Sequence, residues 1–302
     1  MGSVSHLPLW LAHELGFFRS EGLPTAWLPV ENEAEATVAV SRGAAAMASC
    51  GFSHLLAQQA RGFDGRALVV QMRTPQVVFG VAAQANPPFR GTRDLKGRRV
   101  GSLSGAAHQL ITEHLLMAAG LNASDLEVIP LHDPLAVLQR FRDGVLDGFC
   151  LDHTLVSLLE MEGAVRVLAD TRGLQGTADL LRGPVPGATL VAPSVWLKQT
   201  AVCQAVANGV VHALKWMRTA GPSDWLRVRP VPDVGMDRAQ FLAALEKSRE
   251  GLSPDGVMSA SAAQAALAAV SLVDPTVAAQ RMRADTTYTN EFVLRAKARF
   301  RA

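Results

Sequence analysis

The sequence contains few cysteines and lysines and no long apolar run. Its three cysteines, Cys50, Cys150 and Cys203, are far apart and odd in number, which excludes a disulfide framework and a C-x-x-C zinc site. Cys50 and Cys150 each end an apolar segment, so we expect them to be buried. No apolar stretch reaches the ~18 residues that span a bilayer. The start "MGSVSHLPLW" has no basic region followed by an apolar stretch, which indicates either a cytosolic protein or one whose leader has been removed.

Motifs that mark common catalytic sites are also missing. "GSLSG" has leucine where the G-x-S-x-G motif needs serine, and no glycine loop ends in GKS or GKT. No H-E-x-x-H pair is present, and none of the five lysines ends a predicted strand, which argues against a Schiff-base enzyme. We therefore expect no catalytic residue, no metal and no cofactor. A metal site pooled from several loops is the alternative left open.

The sequence contains enough apolar residues to form a large hydrophobic core. Of the 302 residues, 49% are apolar and 19% are charged, which is typical of a soluble globule with one large domain or two lobes. The net charge is only +2, and the basic residues are scattered. Segments such as "AKARFRA" lack interleaved aromatic residues, so the sequence predicts no nucleic-acid surface.

Apolar strand patterns alternate with helical patterns over the first two thirds of the chain, which indicates parallel α/β sheets. The predicted strands are 25–30, 45–50, 67–72, 77–83, 98–103, 126–131, 146–151, 165–170 and 188–193. The predicted helices are 7–15, 33–42, 53–61, 106–119, 134–142 and 153–162, followed by a helical tail after residue 200. Two proline-containing passages, 83–94 and 180–189, predict crossings between lobes. Lobe one would then comprise 1–83 and 188–302, and lobe two 84–187.

Polar side chains concentrate where predicted strands pass into helices. The segment "RRVGSLSGAAHQLITEHLL", 98–116, places Ser102, Ser104, Gly105 and His108 at such a junction, and Asn32 follows another strand. Ligands in α/β sheets bind at the carboxyl ends of strands, where helix N-termini favour anions and polar oxygens. A simpler interpretation makes each such residue a helix cap. Six of the eight histidines lie near a junction, and this shared bias favours a binding site.

The order of three segments resembles periplasmic substrate-binding proteins of the nitrate/sulfonate/taurine and thiamine-precursor type. "HLPLWLAHELGFFRSEGLPTAWLPV" resembles their opening helix and "GFF…EGL" turn. "TRDLKGRRVGSLSGAAHQLITEHLLMAAGL" resembles their "DLKGK-x-VG" segment, where the second lobe begins, and "RDGVLDGFCLDH" resembles their Gly-x-x-Asp-Ala strand. The first lobe departs from the family in having "GAAA" at 43–46 without the usual aspartate, and little of a first strand precedes His6.

The resemblance implies a type II periplasmic-binding fold, in which two α/β lobes with extra C-terminal helices close over a small solute. It assigns ligand binding to His6, Pro8, Trp10, Ser53, His54, Arg73, Thr74, Ser104, Ala106, His108, Asp152 and His153. Arg73 and the imidazoles favour a carboxylate or sulfonate, whereas Asp152 suits an amine or ring N–H and keeps a pyrimidine-like ligand open.

Three functions follow as hypotheses. The first is solute capture by a periplasmic monomer that lacks its leader and delivers the ligand to an ABC importer's permease and ATPase. The second is an enzyme of the thiamine-pyrimidine or menaquinone pathways, with Asp152 and His153 as an acid–base pair. The cysteine-rich motif of the pyrimidine synthase is absent. The third is a regulator's sensor domain, for which no DNA-binding segment is present.

Overall fold

Eight β-strands are present in the computed structural model, which describes residues 4–103, 105–228 and 237–302. They are β1 Ala48–Gly51, β2 Gly65–Val70, β3 Val77–Ala82, β4 Arg99–Leu103, β5 Glu127–Leu131, β6 Gly148–Asp152, β7 Val165–Asp170 and β8 Ala188–Pro193. All eight coincide with predicted strands. The ninth predicted strand, 25–30, is extended but joins no sheet. Pro24 precedes it and Pro29 lies within it, and both lack the backbone N–H that a ladder would need.

The helices account for most of the remaining chain. The α-helices are α1 Leu7–Glu14, α2 Phe17–Ser20, α3 Glu33–Ser41, α4 Phe52–Ala60, α5 Ala106–Ala118, α6 Pro134–Arg142, α7 His153–Met161, α8 Leu174–Leu181, α9 Ser194–Leu197, α10 Thr200–Thr219, α11 Pro222–Arg227, α12 Arg238–Ser248, α13 Ala260–Val273, α14 Pro275–Gln280 and α15 Glu291–Phe300. Short 3₁₀ helices are Val4–His6, Thr92–Leu95, Ala123–Asp125, Arg249–Gly251 and Ala284–Thr286. Among the described residues, no helix has both the length and the apolar character to cross a membrane.

The strands form two separate sheets, as predicted, with orders β1-β8-β2 and β5-β4-β6-β3-β7. The prediction of parallel sheets is only partly correct. β4 is parallel to β5 and β6, but β3 is antiparallel to β6 and β7, and β8 is antiparallel to β1 and β2. β3 and β8 are the strands by which the chain enters each sheet from the other one. Without a helical crossover inside one sheet, such a strand is free to run antiparallel to its neighbours.

The first crossing lies earlier than the sequence predicted. Because β3 pairs with β6 and β7, the chain leaves the three-stranded sheet after Val70, and the predicted boundary at 83/84 is one strand too late. The return, after β7, ends at β8 as predicted. The crossings touch: Gly187 N donates to Met72 O at 3.0 Å. A Cβ at Gly187 would lie 2.1 Å from the carbonyl oxygen of Thr74, so this contact requires glycine.

The five-stranded sheet is covered on both faces, which explains its nearly continuous apolar strands. Successive side chains of a strand point to opposite faces. In β3, Val78 packs with α6 and α7 residues, whereas Phe79 packs with α5 residues such as Ile111. The helical tail lies mainly against the three-stranded sheet, where α10 contacts α1, α15 and β2. Cys50 and Cys150 are buried free thiols in these cores, as predicted, and Cys203 is buried as well.

A network of ion pairs joins the five-stranded sheet to the tail. Arg172 donates to both carboxylate oxygens of Glu160, at 2.8 and 2.9 Å, and to Asp170. Lys247, from α12 in the tail, also donates to Glu160 at 2.6 Å. Burial alone would raise the pKa of Glu160, but the bonds from Arg172 and Lys247 outweigh it and lower the pKa to about 2. The ionised carboxylate therefore stabilises the folded state.

We expect Glu160→Gln to lower the free energy of unfolding at pH 7 by about 2 kcal/mol, because it leaves the largely buried Arg172 with one carboxylate partner fewer. The difference from the wild type should be constant above about pH 5. It should shrink as the pH falls from about 4.5 towards 2, where the wild-type carboxylate also becomes protonated. Urea unfolding at several pH values measures both effects.

Glu162→Gln is the matched control, since Glu162 follows the same helix and pairs with Arg142 at the exposed surface. This substitution should cost less than about 0.5 kcal/mol. Equal losses for the two variants would show that the network around Arg172 contributes nothing special.

Candidate ligand-binding cleft

A cleft of about 1,500 Å³ lies between the two sheets. Its first side is formed by residues near the start of α1, the segment 23–34, and the end of β1 with the beginning of α4. Its second side is formed by the first turn of α5, the β5–α6 junction and the end of β6. The predicted convergence of strand-to-helix junctions therefore occurs, and it occurs between the sheets.

Seven of the thirteen residues predicted to bind ligand line this cleft: His6, Asn32, Ser53, His54, Ala106, His108 and Asp152. Ser104 lies outside the described residues. The other five, Pro8, Trp10, Arg73, Thr74 and His153, do not line it. Pro8 is buried in the second position of α1, and Trp10 packs against the core of the three-stranded sheet.

Arg73 and Thr74 face the crossing instead of the cleft. Arg73 N donates to Gly251 O at 2.6 Å, and its Nη2 donates to Glu250 O at 2.7 Å. Thr74 is fully buried, and its hydroxyl donates to Arg172 O at 3.0 Å. Arg73 is thus held by the chain passing from α12 towards α13. Arg73, which the sequence predicts to bind ligand, therefore does not line this cleft.

His153 also points away from the cleft, although its neighbour Asp152 points into it. Asp152 is the last residue of β6 and His153 the first of α7, where the chain turns, and His153 falls on the core side with no exposed surface. Burial, reinforced by the charge of Arg172, lowers the pKa of His153 to about 3. The expected Asp152–His153 acid–base pair is therefore split between cleft and core.

The structure distinguishes helix caps from side chains that are left for a ligand. Asn32 caps α3 by accepting a hydrogen bond from Glu35 N at 2.9 Å, and Asp133 caps α6 through Leu135 N at 2.9 Å. Asp152 precedes α7 but makes no capping hydrogen bond. Its carboxylate is therefore available to the cleft.

A chain of hydrogen bonds anchors His6 on the first side. Its Nδ1 lies 2.7 Å from Ser49 Oγ, and Ser49 Oγ accepts a hydrogen bond from Gln71 Nε2 at 2.6 Å. Gln71 in turn accepts one from Leu9 N at 3.1 Å. Burial lowers the pKa of His6 in spite of the opposing charge of Asp152. The imidazole is therefore neutral at pH 7.

Glu33 adds a carboxyl group beside this chain. Its Oε1 accepts a hydrogen bond from Gly51 N at 2.5 Å, which ties the start of α3 to the end of β1. Burial raises the pKa of Glu33 to about 7; the Gly51 N–H opposes the rise, and the charge of Asp152 adds to it. Glu33 thus changes between a donor and an acceptor near neutral pH.

On the same side of the cleft, His54 forms a hydrogen bond within the protein. Its Nε2 lies 3.2 Å from the hydroxyl of Thr37, which also lies 3.0 Å from Ala34 O. Burial, helped by the charge of Arg61, lowers the pKa of His54 to about 4. His54 is therefore a neutral group at pH 7, like His6.

His108 and Asp152 face them from the second side. Among the described residues, neither ring nitrogen of His108 has a hydrogen-bond partner, and both are buried. Its Nε2 lies 3.9 Å from Asp152 Oδ1, too far for a hydrogen bond. Burial lowers the pKa of His108 against the opposing effect of Asp152. A buried imidazole without a partner costs free energy, and a bound ligand would recover it.

The cleft is acidic overall. Among the described residues that line it, the carboxyl groups belong to Glu31, Glu33, Asp133, Asp152 and Asp274, and the cation is Arg61. Arg61 pairs with Asp274 at 2.9 Å. The three imidazoles with lowered pKa values add no positive charge. The expectation of a cationic site built on Arg73 therefore finds no support in this geometry.

Sequence reasoning missed Ser49, Gln71 and Glu33. Ser49 and Gln71 each interrupt an apolar strand pattern, "AAMASC" and "ALVVQM", and a polar residue in a buried strand must find a partner. The sequence therefore contained a signal for Ser49 and Gln71 that could have identified them. Glu33 gave none, because an acidic residue in the first turn of a helix is ordinary.

The chain is similar in sequence and in fold to known proteins. The family model NMT1/THI5 like matches residues 3–169. The 4-amino-5-hydroxymethyl-2-methylpyrimidine phosphate synthase of Schizosaccharomyces pombe is 29% identical over 135 residues, 41% of this chain. The match spans only 35% of the length of that synthase, so the chain covers about a third of the curated relatives of this kind.

Two solved structures share the whole fold. A Bordetella bronchiseptica RB50 protein is 32% identical with a TM-score of 0.90, covering 100% of this chain and 95% of the other. The alkanesulfonate-binding protein SsuA of Xanthomonas axonopodis pv. citri, bound to MOPS, is 21% identical with a TM-score of 0.69, covering 98% and 94%. The fold is therefore that of periplasmic binding proteins, as the sequence predicted, and the chain belongs to the NMT1/THI5-like family.

Proposed function

We propose that this protein captures a small solute in the cleft between its two sheets and delivers it to an importer. The observation that carries the proposal is the opposition of two polar sets, His6 with Glu33 on one side and His108 with Asp152 on the other. The charge of Asp152 acts on both His6 and Glu33, so the two sets lie within electrostatic reach across the cleft. A ligand between them would contact both sides at once.

Closure would follow from such a ligand. The cleft of about 1,500 Å³ exceeds the roughly 300–1,000 Å³ of a typical small-molecule site, which leaves room for the two sides to approach. The crossings 71–76 and 171–187 are the natural hinge, since they carry the chain between the sheets. A ligand that contacts both sides binds the closed state better and shifts the population towards it.

The charges favour a neutral or cationic ligand rich in N–H groups over a sulfonate. A sulfonate offers only acceptors and a negative charge, and this cleft presents carboxyl groups with its one described cation already paired. An aminopyrimidine offers N–H donors to carboxylates together with a ring-nitrogen acceptor. The names of the relatives mention two classes of ligand, sulfonates and a pyrimidine. The pyrimidine matches the charges and hydrogen-bonding groups of this cleft better.

The remaining parts of the proposal follow from the fold's usual setting. We infer a periplasmic location and delivery as a monomer to a permease driven by an ATPase. The supporting observation is the likeness to periplasmic binding proteins.

We expect 4-amino-5-hydroxymethyl-2-methylpyrimidine to raise the melting temperature and MOPS or ethanesulfonate to leave it unchanged. A ligand at 100 times its Kd adds ~2.7 kcal/mol, which corresponds to a shift of several degrees. Asp152→Asn should weaken pyrimidine binding by about tenfold or more, because a charge-assisted hydrogen bond is lost. Thermal-shift assays and titration calorimetry measure both effects.

Arg73→Ala serves as the discriminating variant, since Arg73 faces Glu250 and not the cleft. It should leave the ligand response as it is in the wild type. If sulfonates stabilise the protein and Arg73→Ala abolishes their effect, the acidic interpretation of the cleft is wrong. If no compound of either class stabilises the protein, the proposal that the cleft binds a pyrimidine is wrong.

An enzyme is the second candidate, and the observation that favours it is the hydrogen bond between Ser49 and His6 at the cleft. Against it, Ser49 Oγ also receives the Gln71 amide, which reduces its nucleophilicity. The cysteines offer no substitute, because burial raises the pKa of Cys150 to about 12. Mass spectrometry of the pyrimidine after long incubation distinguishes the two functions, since a binding protein returns it unchanged.

We also expect the wild type to lose stability relative to Glu33→Gln as the pH rises from about 5 to 7, because Glu33 must ionise inside the cleft. Its pKa is raised from 4.5 to about 7, so the folded state holds a proton that the unfolded state has already lost. The contribution is at most about 1.4 kcal/mol per pH unit for one proton. The unfolding free energy of the wild type minus that of Glu33→Gln should therefore fall over this range, even though the buried histidines with lowered pKa values make the stability of both proteins rise with pH.

Glu35→Gln is the control, since Glu35 lies on the same helix but is exposed. Its curve of unfolding free energy against pH should keep the wild-type slope between pH 5 and 8. Parallel curves for Glu33→Gln and the wild type would show that Glu33 makes no contribution to the pH dependence.

A further inference from the structure

The hydrogen-bond chain behind His6 has a defined direction. Leu9 N is a backbone donor, so the Gln71 atom that faces it must be the amide oxygen. The other end of the Gln71 amide is therefore the NH₂ group, and it donates to Ser49 Oγ at 2.6 Å. Because the backbone amide fixes the first bond, the orientation of the fully buried Gln71 side chain is not arbitrary.

The position of the Ser49 proton follows from this direction. Ser49 has one hydroxyl proton, and its oxygen already accepts from Gln71. Among the described residues, no acceptor other than His6 Nδ1, at 2.7 Å, bonds to the Ser49 hydroxyl. The proton therefore points at Nδ1, which must be the unprotonated nitrogen of the ring. A neutral imidazole with a bare Nδ1 carries its hydrogen on Nε2.

We propose that Gln71 and Ser49 are positioning residues that hold His6 as its Nε2–H tautomer, so that the cleft selects a ligand with a hydrogen-bond acceptor facing His6. This inference rests on the proposed function and deepens it. His6 lines the cleft, and its Nε2 has no hydrogen-bond partner among the described residues. Gln71 does not line the cleft and acts only through Ser49.

The consequence for the ligand is a mixed edge. His6 offers a donor, whereas the ionised Asp152 and, above about pH 7, Glu33 offer acceptors. A complementary ligand has an N–H group next to an unprotonated ring nitrogen or carbonyl oxygen, as in amidine-like and amide-like heterocycles. A simple amine has donors only, and a sulfonate has acceptors only. Either ligand would leave a donor or an acceptor of this site without a hydrogen bond. An unpaired buried polar group costs more free energy than a typical hydrogen bond contributes.

The tautomer is measurable without any ligand. In protein labelled with ¹⁵N-histidine, long-range ¹H–¹⁵N spectra should show His6 with a bare Nδ1 and a protonated Nε2 from pH 6 to 8. Ser49→Ala should remove the bias and give a mixture of tautomers. In Q71E the carboxylate accepts the Ser49 proton, so Ser49 accepts from His6 and a proton appears on Nδ1.

Ser157→Ala is the control, because Ser157 is a buried serine that donates to His153 O at 3.1 Å, away from the cleft. It should leave the His6 spectrum unchanged. A wild-type spectrum with hydrogen on Nδ1, or a Ser49→Ala spectrum identical to the wild type, overturns the inference. Ser49→Ala is small enough to keep the fold if Q71E does not.

Ligand binding then separates this inference from the proposed function. Ser49→Ala should bind 4-amino-5-hydroxymethyl-2-methylpyrimidine about tenfold more weakly, and Ser157→Ala should bind it as the wild type does. If the wild type does not bind the pyrimidine while His6 shows the expected tautomer, the proposed ligand class is wrong, but the positioning role of Gln71 and Ser49 is confirmed. If the pyrimidine binds equally well to Ser49→Ala, the positioning residues do not set specificity.

Discussion

The contact between the two chain crossings governs both the fold and the site. Gly187 N donates to Met72 O, and Gln71 N and Met72 N both donate to Ala188 O, so the segments that join the sheets are bound to each other. This contact fixes where the strand-to-helix junctions of one sheet meet those of the other. It also places Gln71, whose side chain orients Ser49 and His6. The same few residues therefore connect the sheets and define one wall of the cleft.

Loss of solvent, more than pairing of charges, sets the chemistry of this cleft. Burial is the largest influence on the pKa values of His6, His54, His108 and Glu33, and in each case it favours the neutral form. Three imidazoles that look like an anion site in the sequence are thereby neutral at pH 7. Neutral imidazoles serve as directional donors and acceptors, so recognition here depends on hydrogen-bond geometry, and long-range attraction of an anion contributes little.

The sequence predicted the elements well and the directions of side chains poorly. Hydrophobic periodicity located eight strands, and Gly and Pro punctuation located the helices between them, because both signals are local. The orientation of Arg73 depends on backbone contacts with Glu250 and Gly251, which are far away in sequence. The opposite placement of Asp152 and His153 depends on where β6 ends and α7 begins, and local patterns do not fix an element boundary to one residue. Such positions require the tertiary structure.

The position of charge in the cleft also explains why fold likeness alone leaves the ligand open. The same framework in the Xanthomonas protein holds MOPS, a sulfonate, at 21% identity to this chain. In the present protein the backbone supplies helix N-termini that suit polar oxygens. Side chains at a few junctions then decide the sign of the site: here Asp152 leaves α7 uncapped and faces the cleft, while Arg61 is neutralised by Asp274. An anion would bring its charge close to unpaired carboxyl groups, whereas an N–H-bearing heterocycle would satisfy them. The proposed preference for such a heterocycle therefore depends on Asp152 being left free of a helix cap and on Arg61 being paired.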